Sequence, residues 1–347
     1  MKSPYQSRQD RHFWRTGVTD QHPLAFSEIY SKKFEIDQSA GIATAGSCFA
    51  QHISRHMKAK GFSVIDYEPG PAAVSEELRK KFGYGLYSAR YGNIYTPRHL
   101  LQLALEALGK LEPEDFAWRK GERWYDAFRP SVEPEGLPSA GAVRSHRDHH
   151  LAQVRRVLTD ARVFVFTFGL TEAWLNRRTG AVYPTAPGTI AGDYDPDIYE
   201  FRNFTFNEVM NDFLAFRELI RGVNQDVKFI LTVSPVPLTA TATEHHVLQA
   251  TVHSKSVLRA VAGELYANCP DIDYFPSYEL VASHVTRGFF FDANLRTVND
   301  AGVDVVMKYF FGEHSAAEPR KFAGGSGKKG ALRPGQRRNR ARTAGDV

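Results

Sequence analysis

The sequence predicts an α/β fold, a parallel sheet with helices on both faces, and three observations carry that prediction. Short apolar runs of strand length alternate with longer amphipathic stretches. Each strand candidate is separated from the next by a segment long enough to cross back over a sheet. The small-residue run Gly41-Ile-Ala-Thr-Ala-Gly46 leads straight into a helical pattern, the strand-to-helix step from which such folds are built. With 347 residues and 42% hydrophobic content, the chain has enough apolar material for one large domain with insertions.

The first forty residues mix aromatic and charged groups, as in His12-Phe13-Trp14-Arg15, without sustained periodicity, so residues 1–40 read as an arm packed on the domain. The fold proper is expected to begin near Gly41. Strand candidates are Ile42 to Ala45, Phe62 to Asp66, Val163 to Phe168, Val227 to Val233 and Ile272 to Tyr274. In the first helix Phe49, Ile53 and Met57 recur every four residues, which predicts a helix over 47–60. Further helices are expected at 97–108, 142–159, 206–222, 246–266 and 299–311. Two connections, about 109–140 and 175–205, exceed ordinary loop lengths and are rich in Pro, Gly and aromatic residues. They read as lids or substrate-recognition insertions within a domain spanning 41–315. There is no internal repeat.

The net charge of +5 invites a nucleic-acid reading, but residues 316–347 hold nine Lys/Arg against Glu318 and Asp346, which leaves the other 315 residues at −2. The basic character therefore belongs to a tail that is disordered by composition. Its functional reading is weak electrostatic contact with an anionic polymer such as RNA, or with anionic lipid; a solubilising end without a partner is the plain alternative. Two cysteines, Cys48 and Cys269, argue against a disulfide scaffold and fit a reducing compartment. The first ten residues contain no apolar stretch of leader type, and no run approaches the roughly 18 apolar residues of a membrane span. A cytoplasmic protein without a transmembrane segment is the expectation. No Walker loop or dinucleotide fingerprint is present, so no cofactor is expected.

Ser47 falls where the first strand meets the first helix. Unpaired amides and the positive end of the helix dipole would there stabilise an alkoxide or an oxyanion, whereas simple N-capping is the structural alternative. Cys48 competes for the same role, because a thiol at a helix N-terminus is activated. Adjacent helical residues point about 100° apart, so only one of the two can face a cleft. Ser47, Gly169 and Ser234 each follow the carboxyl end of a predicted strand, where open α/β sheets bind ligands. His146, His149 and His150 share a helical spacing suited to metal ligands, but with Arg144, Arg147 and Arg155 around them they read as a solvated basic face, and no metal is expected.

Gly46-Ser47-Cys48-Phe49-Ala50 spells the signature of the GSCFA family, which is similar to the SGNH/GDSL hydrolases. Further blocks that resemble the family are Tyr91-Gly-Asn-Ile-Tyr95-Thr-Pro97, Thr167-Phe-Gly169-Leu-Thr171-Glu172-Ala-Trp174, Thr232-Val-Ser234-Pro235-Val236 and Tyr274-Phe-Pro276-Ser-Tyr278-Glu279. Together they cover roughly residues 40 to 310. The resemblance implies a three-layer, flavodoxin-like SGNH fold and serine-dependent cleavage or transfer of an acyl ester through Ser47, which the likeness to Gly-Asp-Ser elbows favours over Cys48.

By the same resemblance the Ser47 amide, Gly92 and Thr171 correspond to oxyanion donors, with Gly169 opening the block and Asn93 able to compensate for the shorter reach of threonine. An Asp-x-x-His block is expected near the C-terminus, but the chain has Asp292 with Arg296 near the histidine position. Arginine stays charged and takes no proton, so Arg296 is instead suited to a carboxylate or phosphate. His246 is the first choice for the base, with His245 and His284 as alternatives and Glu172 as an orienting group or base. Acylated carbohydrate, or another small ester, is the substrate class the related families imply, and Trp118, Trp124 and Trp174 offer surfaces for stacking on a sugar. Hydrolase and O-acyltransferase both remain open. The alternative of another class is a non-catalytic module that binds an anionic glycan or peptide through Arg296 and Asn294.

Overall fold

The computed structural model describes residues 3–314. After a short 3₁₀ turn (Asp10–His12) and a π turn (Arg15–Thr19), the chain forms β1 (Ile42–Gly46), α1 (Phe49–Ala59), α2 (Glu76–Lys81), α3 (Pro97–Ala107), β2 (Ala117–Lys120), β3 (Arg123–Asp126) and α4 (Ala140–Asp160). Then come β4 (Val163–Phe168), β5 (Glu172–Asn176), β6 (Val182–Tyr183), β7 (Tyr199–Asn203) and α5 (Phe206–Arg221). The chain continues with β8 (Lys228–Val233), α6 (Val247–Asn268), β9 (Ile272–Tyr274), α7 (Ser277–Ala282) and α8 (Asp300–His314). No helix among the described residues is long and apolar enough to cross a membrane.

The central sheet is parallel throughout, in the order β1-β4-β8-β9, so the fold is α/β with helices on both faces. Its strands are buried on both sides, and their alternation separates two cores. Phe164, Phe166 and Phe168 of β4 face α3, α4, α5 and α6, where they meet Phe213, Phe216 and Leu258. Val163 and Val165 face the other layer, formed by Phe49, Ile53 and Met57 of α1 together with Val306, Met307 and Phe310 of α8. Each such side chain contributes about 1.5–3 kcal/mol by burial. The expected strand at Phe62 to Asp66 is reduced to one parallel bridge, Val64 to Ile42, because only two backbone hydrogen bonds, Ile42 N–H to Ser63 O and Ile65 N–H to Ile42 O, tie it to β1. That bridge lies on the outer side of β1, so the order in which strands are added reverses between β1 and β4, the place where such sheets bind ligands.

Helix starts follow local chemistry. Thr96 accepts from the His99 amide with Pro97 in the first turn of α3, Ser139 accepts from the Ala142 amide at α4, and Thr205 and Glu208 form a capping box at α5. The two long connections are folded additions. The β2–β3 hairpin and the antiparallel sheet β6-β5-β7 share a core of Trp118, Phe128, Tyr183 and Tyr199. Trp118 is therefore buried, with its indole N–H donating to Tyr199 Oη, and offers no face to a sugar; Trp124 and Trp174 are partly exposed.

The N-terminal segment lies against the C-terminal half of this unit. Phe26, Tyr30 and Ile36 enter the second core, and Lys33 Nζ donates to the carbonyls of Cys269 and Ile272 at 2.9 Å each. The tail 316–347, with its expected anionic partners, lies outside the described residues.

The expectation of a solvated basic face on α4 is corrected. His146 and His149 are exposed, but Arg147 and His150 are 1% and 0% exposed. They continue the buried stripe of Val143, Val154 and Val157. Arg147 is held by Glu106 of α3 and by Asp126, which also binds Arg129 at 2.7 Å; His150 Nδ1 and Glu68 are 2.6 Å apart. Periodicity alone reads these charges as surface because it cannot see carboxylates brought in from three other segments.

Candidate active site

β1 ends at Gly46, whose φ of 136° belongs to glycine, and a Cβ there would stand 2.5 Å from Thr167 O of the neighbouring strand. The chain then turns into α1, with Cys48 in the N-cap position rather than Ser47. Ser47 N–H donates to Thr167 O at 3.3 Å, so this amide continues the ladder with β4 and is not free for an oxyanion. The Ser47 side chain caps nothing: it is 3% exposed, and its Oγ is buried without a hydrogen-bond partner. Cys48 is a free thiol and partly exposed. The accessible member of the pair is thus the cysteine.

The loop after residue 90 is stitched over this turn. Ile94 N–H donates to Gly46 O at 2.9 Å, Gly169 N–H donates to Tyr95 O at 2.9 Å, and the Tyr91 hydroxyl donates to Thr44 O. Gly92 takes φ 66° to make the bend. Asn93 accepts from the Tyr87 hydroxyl at 2.6 Å and donates to the Tyr95 hydroxyl at 3.0 Å, which leaves its second N–H. Glu68 accepts from the Arg90 amide at 2.7 Å and Arg129 donates to Arg90 O, so the groups that pair with the buried charges of α4, Glu68 with His150 and Arg129 through Asp126 with Arg147, also brace the loop.

Thr171 is fully buried and committed: its hydroxyl donates to Asn203 Oδ1 at 2.6 Å and its amide to Ser254 Oγ at 2.9 Å. Glu172 accepts from the Thr241 hydroxyl at 2.7 Å and so ties down the loop before α6. Neither residue hydrogen-bonds to Ser47 Oγ. The histidines lie elsewhere. His246 is exposed and caps α6, accepting from the Leu248 amide at 3.2 Å. His245 is exposed beside it, and His284 is exposed with its ring stacked 5.7 Å from Trp14. No histidine reaches Ser47 Oγ.

Sequence reasoning missed Lys255. It sits on α6, 1% exposed, and its Nζ donates to Gly169 O at 2.5 Å, at the carboxyl end of β4. Nine residues separate it from His246, about 13 Å along the helix axis. Burial, with the Arg296 charge adding to it, pushes the Lys255 amine down to about 7. A signal was present: Lys255 falls three residues before Leu258 and seven before Ala262, on the apolar stripe of α6.

Arg296 comes from a tight loop in which Asn294 Oδ1 accepts the amides of Arg296 and Thr297 at 2.9 Å each and Leu295 takes a left-handed φ of 53°. Asp292 is exposed at the start of the same loop. Burial pushes the Cys48 thiol up, while Arg296, Lys255 and the amides of Phe49 and of Cys48 itself pull it back. The structure therefore brings Cys48, Asn93, Gly169, Lys255 and Arg296 to one end of the sheet.

Among the described residues no group of three His, Cys, Asp or Glu side chains is arranged to hold a metal ion. A separate groove of about 450 Å³ lies between the N-terminal segment and α6–α7, lined by Tyr30, Arg259, Tyr266 and Glu279 and by none of these site residues. The model of the GSCFA family matches residues 41–310. No curated protein matches the chain.

Proposed function

The chain belongs to the GSCFA family, and on that premise we propose that it is an SGNH-like acyl-ester hydrolase or O-acyltransferase acting on acylated carbohydrate at the turn between β1 and α1. One observation carries the reading. At the point where the strand order of the parallel sheet reverses, a glycine-made turn presents a partly exposed thiol at a helix N-terminus, and a buried amine is fixed on Gly169 O just past the end of the neighbouring strand. Acyl transfer needs these parts: a nucleophile, a proton acceptor and donors for the oxyanion. Candidate donors are the amides of Cys48 and Phe49, which have no backbone acceptor, and the second N–H of Asn93. Arg296 supplies a fixed positive charge for an acidic group on the glycan or for the developing oxyanion. Trp124 and Trp174 retain partly exposed faces for a sugar.

The test is incubation of the full chain with O-acetylated oligosaccharides, with free acetate and acetyl transfer followed by NMR. The wild type is expected to release or transfer acetate, and the Ser47→Ala/Cys48→Ala double variant, which lacks both hydroxyl and thiol, to do neither. Equal turnover by the two proteins would refute the site. Binding of acidic glycan by both proteins with no turnover by either would favour a non-catalytic binding module built around Arg296.

A further inference from the structure

We propose that Cys48, not Ser47, is the attacking group of this site and that Lys255 takes its proton. The substrate in this inference rests on the acyl-transfer reading; the cysteine–lysine pair does not.

Accessibility decides between the neighbours. The turn that puts Ser47 N–H onto Thr167 O rotates its side chain into the protein, and the next residue then emerges on the open side. Position decides as well. Cys48 is the N-cap residue of α1, at the positive end of the helix, and its side chain makes no capping hydrogen bond that would hold the thiol back from a substrate. Lys255 of α6 is fixed on Gly169 O, two residues beyond Thr167, whose carbonyl takes the Ser47 amide, so the amine lies at the same end of β1 and β4 as the thiol. A lysine in a dry site is costly unless its neutral form is used. Neutral Lys255 donates one N–H to Gly169 O and keeps its lone pair free.

The steps balance. Lys255 Nζ accepts the thiol proton as the Cys48 sulfur bonds to the acyl carbon and the carbonyl π pair moves onto oxygen. Re-formation of the carbonyl breaks the bond to the sugar oxygen, which leaves with the proton of the Lys255 ammonium. Water, or the hydroxyl of an acceptor, then opens the thioester; its proton passes to Lys255 and from there to the departing sulfur.

Alkylation by iodoacetamide, read by peptide mass spectrometry with Cys269 as the internal reference, tests the pair without any ester. In the wild type the Cys48 rate is expected to rise with an inflection near pH 7, where Lys255 loses its proton. Lys255→Met should slow it at neutral pH by about 100-fold, the low end of what a general base contributes. Identical profiles would overturn the role of Lys255. If the variant does not fold, the wild-type profile alone decides, because a rise confined to alkaline pH in parallel with Cys269 contradicts a proton acceptor. Acylation by p-nitrophenyl acetate supplies the second arm. A hydroxylamine-labile adduct on Cys48, kept in Ser47→Ala and lost in Cys48→Ala, supports the assignment. An adduct on Ser47 overturns it and leaves the acyl-transfer reading standing; reactive Cys48 with no acyl adduct on either residue overturns that reading and spares the pair.

Discussion

At Gly46 one hydrogen atom in place of a methyl group decides whether the site exists. Gly46→Ala would combine backbone strain at φ 136° with a contact 2.5 Å from Thr167 O, and neither can relax without parting β1 from β4. A loss of about 2–6 kcal/mol is expected in urea unfolding, from about 1–3 for strain and a similar amount for overpacking. Unchanged stability would mean that the strand end is looser than its register implies. The glycine, the serine and the cysteine were all legible as a motif at a strand-to-helix junction. Which of Ser47 and Cys48 faces outward was not, because it depends on whether one amide pairs with the neighbouring strand. Lys255 was visible only as a charge on an apolar stripe. Its partner Gly169 lies 86 residues away in the chain.

Among the elements, α4 shows most plainly how packing overrides pattern. Its C-terminal half buries Val154, Val157 and Leu158, and its N-terminal half buries Arg147 and His150 on the same face. Asp126 answers Arg147 and Arg129 together, and those two cations hold its carboxyl down at about 2 despite burial. Asp126→Asn keeps the volume and removes the charge, leaving two buried guanidiniums short of an anion. A loss of about 3–5 kcal/mol is expected in urea titration, the cost of breaking a buried pair from one side. A change below about 1 kcal/mol would show that water reaches the cluster. The same network braces the loop of Gly92 and Asn93, so the variant should also weaken any turnover. A gentler case is Thr205→Ala, which removes one half of the capping box of α5 and should cost about 1 kcal/mol by the same titration. The cap was readable from Thr205 and Glu208 three residues apart, whereas the strand expected over 62–66 was not realised because its backbone pairs with β1 at a single bridge.

For the whole molecule, buried histidines set how stability depends on pH. Burial, reinforced for His99 by the charge of Arg147, holds His99 and His314 down at about 4, against 6.5 for an ordinary imidazole. Between those values the unfolded chain binds protons that the folded chain refuses, so stability should fall as pH drops from about 6.5 to 4, by up to about 1.4 kcal/mol per unit for each histidine. Glu106, Asp212 and Asp273, pushed up by burial, act in the opposite sense over the carboxylate range. Urea unfolding at pH 7 and pH 5 checks the sign; equal stability would mean that these imidazoles titrate freely. The layered architecture could be foreseen because strand and helix periods are local properties, repeated along each segment and independent of what the segment meets. The helices at 97–107, 206–221 and 247–268 accordingly fall within two residues of their expected bounds. The central strands do so for the same reason. The working groups of the site obey no such rule. Lys255, Arg296 and Cys48 come together through the crossovers that carry α6 and the loop before α8 past the end of β4, and the desolvation that alters their chemistry exists only once the two cores have closed around the sheet.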